Sequence, residues 1–226
     1  MYKLILALLF CISVNADISN YEAKYEFNSK EITISGKRTL DINEGVGNIS
    51  FKAKNALASM FFESQFRIIE NKVISDSYVV KIKPKFVNRN QELFFNHDNN
   101  TISSSGRDEW VIERNKDIQI LDPLNSQIQL KLNIANNIND FTLNIIDLEN
   151  GKLEQYKYIV DGVKQITFKD EIYECMIIKR TKLDSNSDKL TYYYVSKELG
   201  YMFVQVSESS EKRDQQLQLI ELLSLG

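Results

Sequence analysis

The stretch Ile32-Thr33-Ile34-Ser35-Gly36-Lys37-Arg38-Thr39-Leu40 carries the pattern that decides the fold of this 226-residue chain. Apolar side chains at 32, 34 and 40 are set against polar ones at 33, 35, 37 and 39. Because successive side chains of a strand point to opposite faces, this period of two predicts a half-buried β-strand. The same alternation returns at residues 78–83, 155–160 and 216–219, so we expect strands from one end of the chain to the other.

Short polar stretches separate these predicted strands. They are Asn71-Lys72, Asp98-Asn99-Asn100, Asn150-Gly151, Asp161-Gly162 and residues 184–188. The Asn-Gly and Asp-Gly pairs favour tight hairpin turns. Strands joined by such turns pair as antiparallel neighbours, so about ten of them predict an all-β, up-and-down meander. A meander of that size has to curl into a half-barrel or barrel to cover its apolar face.

One segment, residues 121–139, interrupts the alternation. Asp122 can cap a helix, Pro123 suits a first helical turn, and Leu124, Ile128 and Leu132 are spaced four apart. We therefore predict one helix near residues 123–136, with that apolar face plugging the curved sheet. Gln129 falls on another face of this helix and should tolerate a charge.

A strand is the competing interpretation of the same segment. Residues 128, 130, 132 and 134 are all apolar, and they alternate with polar residues at 129, 131 and 133. The dipeptide Asp122-Pro123 favours the helix, because proline is poorly tolerated inside a central strand and suits a helix start. Asp122→Ala should then destabilise the protein by about 1 kcal/mol through loss of the cap.

The first sixteen residues have the three-part form of a secretory signal peptide. Lys3 precedes the apolar run 4–12, and Ser13-Val14-Asn15-Ala16 ends on small residues that a signal peptidase reads. The run is shorter than the roughly 20 residues that cross a bilayer. We expect cleavage near Ala16, giving a signal peptide at 1–16 and one β-meander domain at 17–226. The mature chain, without a transmembrane segment, would be periplasmic or secreted.

Composition argues against several classes of function. The chain has 28 basic and 31 acidic residues, with both signs mixed along its length, whereas nucleic-acid binding needs concentrated Lys and Arg. His97 is the only histidine, and Cys175 is the only cysteine outside the predicted signal peptide. A zinc site and a nucleophilic triad are therefore poorly supported. We expect Cys175 to be a buried thiol and His97 to lie at a hairpin end, with no catalytic residue, metal or cofactor.

Several stretches resemble a bacterial exported family known as domain of unknown function 3108. The stretches that carry the resemblance are residues 21–25, 36–40, 63–66, 122–131, 160–162, 191–196 and 199–202, together with Tyr78. The stretch 122–131, Asp-Pro-Leu-Asn-Ser-Gln-Ile-Gln-Leu-Lys, is the most specific. The motif positions are Tyr21, Glu63, Ser64, Phe66, Tyr78, Asp122, Pro123, Gln127, Asp161 and Gly162.

The chain departs from this family pattern at three places. Phe95-Asn96-His97 stands where Phe-Asp-Trp is typical, a proline near Ser75 is missing, and Met202 stands where proline is common. His97 thus occupies an apolar position of the pattern, which weakens any catalytic use of it. The resemblance implies an envelope protein built as a large antiparallel meander, without an assigned catalytic residue or ligand.

Two hypotheses for function remain open at the level of sequence. The first is a non-enzymatic envelope protein that binds a lipid or another apolar molecule inside its curved, aromatic-rich sheet. The alternative is an interaction or assembly protein that meets an envelope protein partner through an exposed sheet face or edge. A ligand binder needs a void between its inward side chains, whereas a scaffold fills its interior.

Overall fold

The computed structural model describes residues 18–30, 32–56, 58–83, 90–183, 189–210 and 214–226. The predicted signal peptide at 1–16 and the predicted turn at 184–188 lie outside these residues.

Within the described residues, fourteen strands form one sheet. They are β1 (Tyr21–Ser29), β2 (Thr33–Asn43), β3 (Val46–Lys54), β4 (Ser59–Ile69), β5 (Lys72–Lys83), β6 (Gln91–Asn96), β7 (Thr101–Gly106), β8 (Trp110–Glu113), β9 (Asp140–Ile146), β10 (Leu153–Phe168), β11 (Glu171–Lys182), β12 (Leu190–Ser196), β13 (Met202–Ser209) and β14 (Asp214–Leu225). The one helix of these residues, α1 (Ser126–Ala135), lies between β8 and β9 and begins later than the predicted start at residue 123. The predicted all-β meander with one helix is confirmed, with more strands than the expected ten.

Every strand pairs antiparallel with its neighbour, in the order β8-β7-β6-β5-β4-β3-β2-β1-β14-β13-β12-β11-β10-β9. The first and last strands of the chain meet in the middle of this order, where Tyr25 pairs with Leu219. The two sheet edges, β8 and β9, do not pair with each other. The sheet is therefore a curled but open meander.

Contacts outside the ladder span the gap between the two edges. The Trp110 indole N–H donates to the Leu148 carbonyl at 3.0 Å, and the Gln91 amide donates to the same carbonyl at 2.7 Å. The segment before α1 also runs beside β9, since Leu121 N–H donates to Asn144 and Leu121 C=O accepts from Ile146. The backbone groups of edge strand β9 are thus partly satisfied without closing the barrel.

The helix lies inside the curl of the sheet. Its buried residues point in every direction around the axis: Ser126, Ile128, Gln129, Leu130, Lys131, Leu132, Ile134 and Ala135. A helix buried all round is surrounded by protein. The predicted apolar face is present, because Leu124, Ile128 and Leu132 are all buried in the core cluster. The strand alternative for this segment is wrong.

Gln129 was expected to tolerate a charge, and the structure contradicts this. The side chain is 3% exposed, and its Oε1 accepts from Val73 N–H at 2.8 Å and from the Gln119 amide at 2.7 Å. Its Nε2 donates to the Asn71 carbonyl at 3.0 Å and to Asn133 Oδ1 at 2.9 Å. The prediction failed because it assumed one solvent-facing side, and the sheet covers all sides.

Asp161-Gly162 is not a hairpin turn, in contrast to the prediction from its sequence. Both residues lie inside β10, where the pairing with β11 shifts between Val160 and Val163. Gly162 has φ +120°, a conformation that L side chains rarely adopt, and this permits a β-bulge instead. The other glycine pair, Asn150-Gly151, does lie in the turn that joins β9 to β10, as predicted.

Candidate functional site

A cavity of about 450 Å³ lies between the inner faces of β1–β5 and β14 and the start of α1. Apolar side chains form most of its wall: Phe27, Ile32, Phe51, Met60, Phe62, Ile82, Leu124 and Leu217. The polar lining residues are Ser29, Arg38, Gln127 and Gln215. An apolar cavity of this size with a few convergent polar groups is the usual form of a small-molecule site.

Strand alternation positions the walls of this cavity. On β4, Met60 and Phe62 point into the curl, as do Ser64 and Phe66 further along the same strand. Glu63 alternates with them and lies on the opposite face. The inward residues nearest α1 are fully buried, whereas Met60 and Phe62 remain half-buried. The cavity therefore forms where the helix no longer fills the curl.

Arg38 brings a positive charge to this cavity. It lies on β2 in phase with the buried residues Ile34 and Leu40, so its side chain points inward and is 2% exposed. One guanidinium nitrogen donates to Gln127 Oε1 at 2.7 Å. The guanidinium carbon lies 5.5 Å from the centre of the Phe203 ring, while the buried Nε has no hydrogen-bond partner. Beyond its hydrogen bond to Gln127, Arg38 retains unused donor capacity.

Lys131 places a second buried basic side chain beside Arg38. It is 0% exposed, and its Nζ lies 4.6 Å from the Tyr21 ring centre and 4.9 Å from that of Phe203, without a hydrogen-bond partner. Burial and, to a smaller extent, the charge of Arg38 lower the pKa of Lys131 well below its usual value. We name Arg38, Lys131, Tyr21 and Phe203 the cationic centre.

The cationic centre has no acidic partner in the part of the chain that the structure describes. None of the ion pairs between described residues includes Arg38 or Lys131. Tyr21 is not such a partner, because burial raises the pKa of its hydroxyl and the neighbouring Arg38 only partly opposes that rise. Burying positive charge without an anion is costly, so this arrangement needs an explanation.

A buried acidic network lies at the start of the helix, and its partners are complete. Asp122 is 0% exposed, and its Oδ1 accepts the backbone N–H groups of Leu124 and Asn125 at 2.7 and 2.8 Å. Its Oδ2 accepts the Ser64 hydroxyl at 2.6 Å. The Asn125 amide donates to Ser75 Oγ at 2.8 Å. We name Ser64, Ser75, Asp122 and Asn125 the Asp122 network.

Asp122 was predicted to cap the helix, and it instead accepts hydrogen bonds from the turn that precedes α1. The residue directly before α1 is Asn125, which makes no side-chain cap hydrogen bond. Asp122 instead holds the turn 123–125, and its carbonyl accepts from Ser126 N–H at 3.1 Å, so the helical path begins there. Burial raises the pKa of Asp122 to about 7, and the hydrogen bonds from Ser64, Asn125 and Leu124 oppose that rise.

Most of the motif positions meet inside the curl. Ser64, Asp122 and Pro123 surround the helix start, and Tyr78 lies close enough for the Asp122 charge to add to the burial that raises its pKa. Gln127 and Tyr21 flank the cationic centre. Phe66 is fully buried. Three positions lie elsewhere: Glu63 on the outer face and Asp161-Gly162 at the exposed bulge.

Sequence reasoning missed Arg38 and Lys131 as site residues. A signal for Arg38 was present, because it stands in phase with Ile34 and Leu40 on the apolar face of β2. A charged residue in the apolar phase of a strand is unusual enough to mark a site. Lys131 gave no such signal, since a helix that is buried on all sides has no polar face to compare it with.

Cys175 and His97 are placed as predicted. Cys175 is buried in β11, and burial, with a smaller effect from Glu198, raises the pKa of its thiol to about 11. A thiol of this kind is a poor nucleophile at neutral pH. His97 lies in the turn after β6, where Nε2 is 2.9 Å from Asp76 Oδ1 and 3.1 Å from the Ser75 carbonyl. The two residues therefore lie in separate parts of the fold, His97 in a turn and Cys175 in a strand.

Two further findings bear on the site. No group of three or more His, Cys, Asp or Glu side chains within the described ranges is placed to hold a metal ion. Among the helices of those ranges, none has the length and apolar run needed to cross a membrane.

A comparison with solved structures shows the fold. The chain is similar to the crystal structure of a beta-barrel-like protein of domain of unknown function DUF1849 from Brucella abortus, with a TM-score of 0.57. The match covers 91% of this chain and 98% of that chain, at 7% sequence identity. The two chains share a fold. No family model and no curated protein matches the chain.

Proposed function

We propose that this protein binds a lipid or another apolar molecule in the cavity beside α1, without transforming it. The observation that carries the proposal is the cavity of about 450 Å³ with a largely apolar wall. An interaction scaffold would fill the interior of its curl, because an empty apolar space forfeits packing. A binding protein keeps such a space for its ligand.

The walls supply enough apolar surface for a ligand of this class. Phe27, Phe51 and Phe62 present aromatic rings, and Met60 adds a flexible side chain that adapts to irregular ligands. A protein partner at an exposed sheet face or edge is the competing function.

We also propose that the protein is exported and acts in the bacterial periplasm or outside the cell. The support is the form of residues 1–16 and the resemblance to the exported domain of unknown function 3108, of which the chain would be a divergent member. The intact mass of the protein recovered from the envelope tests this. The expected first residue is Asp17, and a chain that retains residues 1–16 would contradict it.

Mass spectrometry of small molecules that co-purify with the mature protein tests the binding proposal. We expect a lipid or another amphiphile to be released on denaturation. Leu217→Trp should reduce its amount by filling the cavity, whereas Gln218→Trp, which points away on the same strand, should leave it unchanged. Equal ligand in both variants, or no small molecule together with no binding of added lipids, would refute the proposal.

A further inference from the structure

We infer that the ligand of this cavity is an anionic amphiphile, whose carboxylate or phosphate headgroup is held by Arg38 while its hydrocarbon chain lies along the apolar wall. This inference rests on the proposed function and assigns the class of ligand to the same site.

The charge balance of the interior is the first argument. Arg38 and Lys131 are both buried around the Phe203 ring, and no described carboxylate pairs with either. Arg38 would be stabilised by an anion, because an uncompensated charge in a medium of low dielectric constant is costly. A negatively charged headgroup would supply the missing partner without any change in the fold.

The position of Arg38 at the cavity is the second argument. Arg38 lines the cavity, whereas Lys131 does not, so Arg38 is the cation that a ligand in the cavity can reach. Gln127 is fixed beside it by its hydrogen bond to Arg38 and by donation to the Pro123 carbonyl at 3.3 Å. A guanidinium offers five N–H donors in a planar fork that matches carboxylate and phosphate oxygens.

The distribution of polarity in the cavity gives the ligand its orientation. Arg38 and Gln127 lie next to Leu124 at the start of the helix. Phe51, Met60 and Phe62 line the wall along β3 and β4. A ligand with a charged head and an apolar tail meets both surfaces, whereas a purely apolar ligand would leave the guanidinium without an anion.

The test compares four probes with the same twelve-carbon chain: dodecanoate, dodecyl phosphate, 1-dodecanol and dodecyltrimethylammonium. Affinity for the full mature protein is measured by displacement of a fluorescent apolar dye. We expect at least one of the two anions to bind about tenfold or more tightly than the alcohol, since a hydrogen bond to a charged group is a strong one. The cationic probe should bind more weakly than the alcohol.

Variants locate this preference at Arg38. Arg38→Met should bring the tighter anion to within about twofold of the alcohol, and Arg38→Lys should retain part of the preference because the charge remains. Lys37→Met is the matched control: Lys37 is the next residue on β2, points to the outer face and pairs with Glu22 at 3.0 Å. It should bind all four probes as the wild-type protein does.

Chain length gives a second measurement that is independent of the headgroup. Affinity of the n-alkanoates should rise about fourfold for each added methylene until the cavity is full, the effect expected for burial of a CH₂ group. The same slope is expected in wild type and in Arg38→Met, because the variant changes only the headgroup contact.

The outcomes separate the inference from the proposed function. If the alcohol binds as tightly as both anions, the protein binds apolar ligands and the inference about the headgroup is wrong. If Arg38→Met folds and keeps the anion preference, the anion is held elsewhere and the inference is also wrong. If no probe displaces the dye from the wild-type protein, both the inference and the proposed function fail.

Discussion

Two buried polar regions lie at the same helix, and they differ in whether their polar groups have hydrogen-bond and charge partners. In the Asp122 network, a buried carboxylate receives three hydrogen bonds, from Ser64 and from two backbone N–H groups. In the cationic centre, Arg38 and Lys131 are equally buried but have unpartnered nitrogen atoms and no anion. The first region is complete in itself, whereas the second is completed only by something that the chain does not provide.

This difference separates structural from functional polar groups. A buried polar group whose hydrogen bonds are all made stabilises one arrangement of the core. A buried charge without a partner lowers stability and persists where it serves binding or catalysis. On this view, changes in the Asp122 network should destabilise the protein, and changes in the cationic centre should leave stability equal or higher.

The largest expected effect on stability is that of Asp122→Ala, which removes the central acceptor of the Asp122 network. The change leaves two backbone N–H groups and the Ser64 hydroxyl without an acceptor in a site that is 0% exposed. We expect the free energy of unfolding at pH 5 to fall by about 3 kcal/mol, more than an exposed helix cap would contribute. Urea denaturation measures it, and a loss below about 1 kcal/mol would contradict the comparison.

Asp122 also gives this effect a pH dependence. Its folded pKa of about 7 lies above the ordinary value of 3.8, so the folded protein binds more protons than the unfolded chain between these values. The stability from Asp122 is therefore fully present below about pH 4 and is lost as pH rises through 7. Asp122→Asn should remove this slope, and the deficit of Asp122→Ala should shrink as pH rises from about 4 to 7 and then level off. A constant deficit from pH 5 to 8 would contradict the raised pKa.

The second prediction concerns Gln129, which is another satisfied polar group. Gln129→Asp would shorten the side chain, bury a charge and break contacts with Val73 and Asn71. We expect a loss of about 2–3 kcal/mol, against less than about 0.5 kcal/mol for Gln165→Asp at an exposed position of β10. Thermal unfolding of the two variants makes the comparison. Equal melting temperatures would show that α1 is not enclosed.

Sequence alone predicted the sheet and the helix, because both follow from the period of the apolar residues and from the turn and helix-start residues between them. The alternation in β2 is a local signal that the structure confirms. Asp122-Pro123 is a local signal for the helix as well, but the helix begins at Ser126, after a turn at 123–125. The burial of Gln129 is not a local signal. It depends on β5 and the preceding turn lying against the helix, which only the curled path of the whole sheet decides.

The candidate site was predicted less completely, for the same physical reason. The apolar, aromatic inner wall was expected. Which of its residues line the cavity depends on how far α1 extends inside the curled sheet, and the sequence does not give that distance. Arg38 was detectable from its phase on β2. The hydrogen bond between Arg38 and Gln127 was not detectable, because the two residues are 89 apart in sequence. Both belong to stretches that resemble the exported family.

The third prediction concerns Lys131 of the cationic centre. Lys131→Met keeps the length of the side chain against Tyr21 and Phe203 and removes the buried amine. Because burial lowers the folded pKa of Lys131, the unfolded chain binds more protons, and the wild type gains stability as pH rises toward about 10.4. We expect the variant to be more stable by at least about 1 kcal/mol at pH 7.

The pH profile distinguishes this cause from better packing. The advantage of Lys131→Met over wild type should shrink as pH rises from 7 to 10, since deprotonation of the unfolded chain removes the penalty. Denaturant midpoints at several pH values measure it. An advantage that stays constant over this range would assign the gain to packing, and a destabilised variant would contradict the view of the centre as unsatisfied.

The smallest expected effect on stability is that of Arg38→Met, although its effect on binding should be the largest. The change removes one hydrogen bond, to Gln127, and leaves that amide oxygen unpaired, which costs about 1 kcal/mol. It also removes a buried positive charge without an anion, and it takes away the Arg38 effect that lowers the pKa of Lys131. These contributions oppose each other, so the free energy of unfolding of the ligand-free protein should change by less than about 1 kcal/mol.

A loss above about 3 kcal/mol would place Arg38 with the Asp122 network as a structural residue. An unchanged stability together with a lost preference for anionic probes would show that the chain holds this charge for its ligand.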